Sequence, residues 1–288
     1  MGSSKNLNGV LAVLVVYERN LEEVKPWNQI CVLLKSNKAD SLNLCHVIVY
    51  DNSVQPRAKP SMVENCSYIH NPKNEGTASA YVYGMHLAQK LGLDWLLLLD
   101  HDTTLPNSFF ALASDALNQA GIRPAALLPW VVHGERAVSP AHMTWNGGFK
   151  PVPRHSGLKL GKCLTGISSA SFVDVRSFQE IGPIPKQLWL DYVDHWIFSR
   201  FNSMNKKITV FDAVVKHELS IYEPATVNRA RLFNIMDAEN FFTTSLPKSA
   251  RFFYPLRILF RIFRQMLFNP AGAWNIVAWV FRSRKNYS

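Results

Sequence analysis

The sequence predicts an α/β fold, in which helices flank a mostly parallel sheet and an amphipathic helical tail follows. Three largely apolar runs, at residues 10–17, 44–50 and 94–99, support this prediction, and the first is apolar throughout. Apolar runs without polar alternation are typical of strands that are covered on both faces, as in parallel sheets. Segments with helical spacing separate the runs, and strands that alternate with helices join through right-handed crossovers.

The predicted helices follow from the spacing of apolar residues and from residues that start or end a helix. Residues 21–35 have helical spacing, and Pro26 either lies near the first turn of this helix or delays its start. A loop and a short strand at residues 67–70 lead to a second helix, which we expect at residues 77–91.

Composition narrows the class of protein. The chain has 288 residues, 48% of them hydrophobic, which is enough for a substantial core and argues against disorder. Of the net charge of +10, eight charges come from residues 240–288, which contain eight basic residues and no acid. A near-neutral body with one basic end disfavours nucleic-acid binding and favours a docking end.

The cysteine pattern and the lengths of the apolar segments indicate the cellular compartment of the protein. No pair forms a CxxC motif, so we expect reduced thiols in a cytoplasmic protein. No signal sequence and no uncharged apolar stretch of about 18 residues is recognisable. The cysteines are Cys31, Cys45, Cys66 and Cys163.

Polar residues gather where the predicted strands end, at residues 17–19, 51–53 and 100–102. In parallel sheets ligands bind outside the carboxyl ends of the strands, so these residues are candidates for a binding site. The alternative is that Asp and Asn simply terminate strands.

Asp100-His101-Asp102 is the sharpest of these signals. Two carboxylates one residue apart at a strand end offer the hard oxygen ligands that Mg²⁺ and Mn²⁺ prefer, and such an ion can neutralise a diphosphate. A DxD triplet alone is weak, but here it follows four leucines.

Six segments resemble family 2 glycosyltransferases with the Rossmann-like GT-A fold. They span roughly residues 8–245 and are nearest to the rhamnosyltransferase-like branch of bacterial surface-polysaccharide synthesis. Residues 238–239 are Ala-Glu where that branch usually has Arg-Asn. The segments are VLVVYERN (13–20), VIVYDNS (47–53), NEGTASA (74–80), LLLLDHDTTLP (96–106), LWLDYVDHWIFSR (188–200) and KHEL (216–219).

The resemblance implies a metal-dependent inverting glycosyltransferase of O-antigen or capsule type. The donor would be dTDP-rhamnose or a UDP-hexose or UDP-galactofuranose, and the acceptor a glycan or a lipid-linked sugar. Asp194 aligns with the family's catalytic base, and Asp102 and His217 would bind Mg²⁺ or Mn²⁺. From the residues alone, Asp191 and Asp194 would share one face of a helix at residues 189–201, and Asp191 is equally a helix cap.

The remaining site residues are those expected at the donor and the acceptor. The small residues at 76–80 either approach an anion at a helix start or pack that helix closely on the sheet. Predicted donor-binding residues are Tyr17, Arg19, Asp51, Asn74, Gly76, Asp100 and His101. Predicted acceptor-binding residues are Asp191, Trp145, Ser168 and Ser169, although the last three could equally lie in ordinary turns.

The tail after residue 245 is predicted to be a separate part of the chain (1–245 and 246–288). On a helical wheel of residues 251–268, Arg257, Arg261 and Arg264 fall within about 60° of each other. Their opposite side is apolar, with Phe252, Leu259, Ile262, Phe263 and Met266. This pattern is typical of a helix that lies in the surface of an anionic membrane, so we expect a peripheral protein on the inner face of the cell membrane. Packing on the core, or a homo-oligomer interface, is the alternative.

Two other functions compete. A nucleotidyltransferase on a similar scaffold is disfavoured because no glycine-rich phosphate loop with a following lysine comes after the first strand. A non-catalytic membrane-binding protein would explain the tail but would leave the acidic motifs and His217 to coincidence.

Overall fold

The computed structural model describes residues 9–35, 42–57, 63–119, 123–154, 159–161, 164–217 and 228–285. Cys163 and the last two residues of the KHEL segment lie outside these ranges. The other three cysteines are free thiols and are partly exposed.

The strands of the described residues are mostly short, and nine of them form one sheet. They are β1 (Val10–Val16), β2 (Leu44–Asp51), β3 (Cys66–His70), β4 (Trp95–Asp100), β5 (Ala126–His133), β6 (Arg136–Ser139), β7 (Ala141–Met143), β8 (Phe149–Pro151), β9 (Lys159–Gly161), β10 (Leu164–Thr165), β11 (Ser171–Asp174) and β12 (Ile208–Lys216).

Along the chain, helices alternate with the strands and also make up the carboxyl-terminal part. They are α1 (Trp27–Lys35), α2 (Gly76–Lys90), α3 (Phe109–Gln119), α4 (Val175–Glu180), α5 (Val193–Ser203), α6 (Arg229–Thr244), α7 (Lys248–Phe268) and α8 (Pro270–Lys285), with 3-10 turns at Leu21–Glu23 and Lys186–Leu188.

The large sheet has the order β3-β2-β1-β4-β11-β5-β12-β9, with β6 paired to β5, and a small second sheet has the order β10-β7-β8. β1, β2, β3 and β4 are parallel, as are β5 and β12. β11 runs antiparallel to both of its neighbours, β4 and β5. The sheet is therefore mostly parallel, and the predicted fold class is confirmed.

Local chemistry explains where the first helices begin. Helix α1 starts directly after Pro26, because proline has no N–H to donate and is favoured at a helix start. Helix α2 packs against β1 through Gly84, where an added Cβ would lie 2.3 Å from Val13 Cγ2. Close helix–sheet packing is thus one use of the small residues in α2.

The chain forms two compact units. The sheet unit contains the large sheet and helices α1 to α5, and the helical unit contains α6, α7 and α8. The sheet unit comprises Met1–His142, Pro151–Ile184 and Val193–Glu218, and the helical unit comprises Met143–Lys150, Pro185–Tyr192 and Leu219–Ser288.

The helical unit has its own small core, in which Phe233, Met236 and Trp279 pack with Tyr254 and Ile258 of α7. Among the described residues, no helix is both long and apolar enough to cross a membrane. Asn269 separates α7 from α8, which begins at Pro270, a residue that favours a helix start.

The arginine strip of α7 lies where the helical wheel places it but does not face outward throughout. Arg257 and Arg261 bind the carboxylate of Glu239, which is only 1% exposed. These two arginines therefore share a buried carboxylate partner, which the helical wheel did not predict. Ile262, expected on the free apolar side, packs against the core of the helical unit.

The apolar side of α7 is exposed. Seven residues form what we call the apolar face of α7, and their exposures range from 44% to 73%. At about 100° per residue they occupy a continuous arc of roughly 120°. They are Phe252, Leu256, Leu259, Phe260, Phe263, Met266 and Leu267.

A candidate active site at the carboxyl edge of the sheet

The strand ends bring two predicted site residues to one edge of the sheet unit. Asp51 is the last residue of β2, and Asp100 is the last residue of β4. Both strands pair in parallel with β1, where Asp51 lies opposite Val16 and Asp100 lies opposite Val15. The carboxyl ends of these strands therefore form one polar edge, as the sequence predicts.

Asp102 and His217 meet at this edge, although 115 positions separate them. The backbones of Thr104 and Lys216 exchange two hydrogen bonds of 2.8 and 3.1 Å. That bridge places Asp102 Oδ1 3.3 Å from His217 Nδ1. The two residues predicted to bind a metal ion are thus brought together.

The charges at this edge are concentrated. Burial raises the pKa of Asp100, the imidazole of His217 opposes the rise, and the negative charge of Asp102 adds to it. The carboxylate of Asp194 is close enough to raise the pKa of Asp100 further, and it also contributes to the raised pKa of Tyr81, which burial dominates. An added cation would relieve this accumulation of negative charge.

The donor set suits a hard divalent cation. Asp102 Oδ1 is buried and accepts no hydrogen bond, although the side chain as a whole is 31% exposed. A buried carboxylate oxygen that accepts no hydrogen bond is costly unless a cation or ligand meets it, and the His217 imidazole lies 3.3 Å from this oxygen. Within the described ranges no cluster of three or more His, Cys, Asp or Glu could hold a metal ion.

Hydroxyl groups support this edge from the interior. Thr103 Oγ1 lies 3.3 Å from His217 Nδ1 and also hydrogen-bonds to Ser169. The hydroxyls of Tyr81 and Ser168 are 2.8 Å apart. Ser168 and Ser169, predicted as acceptor contacts, are buried and engaged in these internal bonds. Thr103 and Tyr81 are site residues that the sequence reasoning missed, although Thr103 directly follows the DxD triplet.

Asp194 lies in the first turn of α5, and its Oδ1 accepts a hydrogen bond from the backbone N–H of His195 at 2.7 Å. The helix expected at residues 189–201 begins only at Val193, because Tyr192 has a positive φ of 61°. Asp191 therefore precedes the helix, and the prediction that it shares a helix face with Asp194 is wrong.

Asp191 has a different partner. Both of its carboxylate oxygens accept hydrogen bonds from Arg231 within the helical unit. Trp145 also lies in the helical unit, where it is 67% exposed and its ring packs edge-on against Phe253 at 4.9 Å. Their roles as acceptor contacts stay predictions.

Asp51 is fully buried, and its carboxylate is already engaged. It accepts hydrogen bonds from the backbone N–H groups of Ser53 and Arg57 at 2.9 and 3.0 Å, and from the Tyr68 hydroxyl at 2.5 Å. Burial alone raises the pKa of Asp51, but these hydrogen bonds outweigh it and lower the pKa below its ordinary value. Asp51 thus organises the loop after β2.

The turns after β1 and β2 form a common platform beside that loop. Glu18 donates its backbone N–H to Ser53 Oγ at 2.8 Å, accepts from the Val54 N–H at 2.9 Å, and pairs with Arg57. Tyr17 and Arg19 on either side of Glu18 are exposed, as a contact surface for a nucleotide requires. Glu18 and Arg57 were missed because their pairing joins two separate loops.

Asn74 and Gly76 shape the start of α2. Both have positive φ, 46° and 76°, and Asn52 donates its side-chain amide to the Gly76 carbonyl at 3.2 Å. Gly76 is buried, and Asn74 and His101 are half-buried. The predicted donor-binding residues therefore lie at the ends of β1, β2 and β4 and at the start of α2.

Comparisons with known proteins support this fold. No protein-family model matches the chain. The chain is 24% identical over 191 residues to the dTDP-rhamnosyl transferase RfbF of Shigella flexneri, a match that spans 65% of this chain and 61% of the relative. The chain thus covers less than two thirds of that relative's length.

Two solved structures share the fold. The crystal structure of GalNAc-T7 with UDP, GalNAc and Mn²⁺ has a TM-score of 0.54 and 14% identity, over 84% of this chain and 52% of that chain. The structure of S. aureus TarS 1-349 in complex with UDP has a TM-score of 0.51 and 11% identity, over 84% of this chain and 68% of that chain. Both share the GT-A fold, so the predicted fold is confirmed. The resemblance to glycosyltransferases is confirmed by these neighbours together with the match to RfbF.

Proposed function

We propose that this protein is an inverting glycosyltransferase that moves a sugar from a nucleotide-diphosphate donor to an acceptor hydroxyl. The observation that carries the proposal is the pair formed by Asp102 and His217 at the carboxyl edge of a GT-A sheet, in which the buried Asp102 Oδ1 accepts no hydrogen bond. Asp194 contributes its charge to the same edge. The relative named as a dTDP-rhamnosyl transferase and the two neighbours solved with UDP support this reading.

The Asp102 carboxylate and the His217 imidazole would hold a divalent cation, which when bound neutralises the charge that develops on the leaving diphosphate. A neighbour solved with Mn²⁺ supports this assignment. Thr103 holds His217 in place from the interior. The exposed Tyr17 and Arg19 and the platform beside them would contact the nucleotide.

Asp194 is the proposed general base. It would take the proton of the acceptor hydroxyl as the acceptor oxygen forms a bond to the anomeric carbon of the donor. The bond from that carbon to the diphosphate oxygen breaks, and its electron pair leaves with the nucleoside diphosphate. A single displacement inverts the anomeric configuration and needs no covalent intermediate.

The more specific part of the proposal concerns the donor, the acceptor and the position of the protein in the cell. The rhamnosyltransferase relative supports dTDP-rhamnose as the first donor to test, with UDP-hexoses and UDP-galactofuranose next, and a glycan or lipid-linked acceptor as in surface-polysaccharide synthesis. The apolar face of α7 favours a peripheral position on an anionic membrane surface, because an exposed apolar arc of this size on a helix is typical of interfacial binding.

Two variants test the catalytic proposal. Asp194→Asn should lower the transfer rate by about 100-fold or more, because an amide cannot accept the acceptor's proton, while calorimetry should show nearly unchanged binding of nucleoside diphosphate with Mn²⁺. Asp102→Ala should instead abolish the stimulation of that binding by Mn²⁺. Asp115→Asn, an exposed carboxylate on α3, is the matched control.

Release of nucleoside diphosphate from each donor measures the rates. Retention of more than about a tenth of the rate in Asp194→Asn would exclude the base role. Mn²⁺-stimulated binding that survives Asp102→Ala would place the cation elsewhere. Absence of nucleotide binding by the wild-type chain would favour the non-catalytic alternative.

A further inference from the structure

A cleft of about 420 Å³ lies against α7 in the helical unit. One part of its wall is cationic and consists of Arg257, Arg261 and Arg264. The other part is apolar and contains Phe253, Leu256 and Phe260. A site with these two halves fits an anionic group that is attached to an apolar chain.

The cationic half carries more positive charge than the protein itself neutralises. Arg261 binds both oxygens of Glu239, at 2.7 and 2.9 Å, and Arg257 binds one of them at 3.1 Å. Arg257 also donates to the Gly147 carbonyl at 2.7 Å. One carboxylate therefore fixes two guanidinium groups in place but cancels only one of their charges.

Arg264 adds a charge that the fold does not use. It is exposed, and within the described part of the chain it has no hydrogen bond or ion pair. The three arginines and Glu239 sum to a net charge of +2 on the cleft. Guanidinium groups held in fixed orientations are the preferred partners of phosphate oxygens, because they donate two parallel hydrogen bonds.

The apolar half connects the cleft to the surface of the molecule. Leu256 and Phe260 line the cleft and also belong to the apolar face of α7, where they are 54% and 67% exposed. A ligand whose phosphate contacts the arginines can therefore extend an apolar chain along the same helix. This continuity distinguishes a lipid from a free phosphate or a nucleotide.

We propose that this cleft binds the phosphate of an anionic phospholipid, and that the lipid's acyl chains lie along the apolar face of α7. The inference rests on the membrane association proposed above but is independent of the proposed catalysis. A second copy of the chain is a poorer occupant, because residues 240–288 contain no acid and two such surfaces would bring like charges together.

The test uses the full chain and vesicles of phosphatidylcholine, alone or mixed with phosphatidylglycerol. Arg264→Gln should weaken binding to the mixed vesicles by more than about tenfold, since it removes charge-assisted hydrogen bonds. Lys248→Gln, an exposed basic residue outside the cleft, should weaken it by about fivefold at most, the effect of one diffuse charge. Arg264→Lys keeps the charge but loses the paired donors, and should fall between them.

Equal losses for Arg264→Gln and Lys248→Gln would overturn the proposal, because binding would then depend on overall charge alone. A soluble short-chain phosphatidylglycerol should shift the amide NMR signal of Gly147 next to Arg257, and inorganic phosphate should do so only at much higher concentration. Equal affinity for the two probes would also overturn the lipid assignment. Sedimentation without lipid that shows a dimer, lost in Phe260→Ser, would assign the surface to a second copy instead.

None of these binding measurements contains a sugar donor. If the protein transfers sugar but does not bind the lipid, the lipid site alone is refuted. If it binds the lipid but transfers no sugar, the lipid site is supported and the transferase proposal is refuted. Thermal melting of each variant checks the fold, and the exposed, unpaired Arg264 is not expected to affect it.

Discussion

The buried ion pair of the helical unit yields a stability prediction whose size follows from the contacts. Glu239 is 1% exposed and accepts three hydrogen bonds from guanidinium groups, two of them from Arg261. Arg261→Met leaves this carboxylate with one hydrogen bond and with Arg257 as its only cation among these contacts. Breaking a buried pair by removing one partner costs about 3–5 kcal/mol, and because Arg257 remains we expect about 3 kcal/mol.

Urea unfolding followed by circular dichroism measures this loss. With a slope of about 1–3 kcal/mol per molar urea, the midpoint should fall by roughly 1 M or more. Hydrogen exchange of the α6 and α7 amides identifies the unit that is destabilised, which matters because two units need not unfold together. Adding both Glu239→Met and Arg257→Met to Arg261→Met should recover much of the loss, since no buried charge of this network is then left without its partner.

The matched control is Arg282→Met. Arg282 pairs with Asp237, and both side chains are more than 40% exposed, so this variant should lose at most about 1 kcal/mol. If Arg261→Met costs no more than Arg282→Met, the reasoning from burial is refuted.

Two further predictions concern the sheet unit. Gly84→Ala should lower the free energy of unfolding by about 1–3 kcal/mol, because its Cβ would lie 2.3 Å from a buried Val13 methyl group. The control is Gly92→Ala, which has a φ of +67° but no atom within 4 Å of the added Cβ and should lose only about 1 kcal/mol. Equal losses for the two variants would contradict the packing argument. Asp51→Asn should destabilise at pH 7 but progressively less below about pH 4, because a lowered folded-state pKa gives stability that is present above the ordinary pKa and lost as pH falls through the folded value. Thermal unfolding of wild type and Asp51→Asn across this range measures the effect, and a gap that does not change with pH would count against the ionised carboxylate.

The sequence by itself determined the first four strands and the polar edge of the sheet. A strand covered on both faces must stay apolar until it leaves the core, so the first polar residue marks its end. Asp51 and Asp100 could be assigned to strand ends for this reason, and the structure places both there. Pro26 likewise marks a helix start, because the missing N–H acts locally.

Contacts between distant segments were decided by the tertiary structure. The four residues of β11 have no pattern that sets their direction, and the strand runs antiparallel because it pairs between β4 and β5. The resemblance had named Asp102 and His217 as a pair, but only the backbone bridge from Thr104 to Lys216 sets their distance. A short segment's pattern does not specify its partner when several partners satisfy the same hydrogen bonds.

The difference between what the sequence predicts and what the tertiary structure decides is clearest in the tail. Periodicity places Arg257, Arg261 and Arg264 on one side of a helix and the apolar residues on another, and the structure keeps this separation. Which side turns inward was decided by Glu239 on α6, because a buried carboxylate is costly unless cations reach it. Two arginines therefore turn toward the core of the helical unit, and the apolar face of α7 remains at the surface.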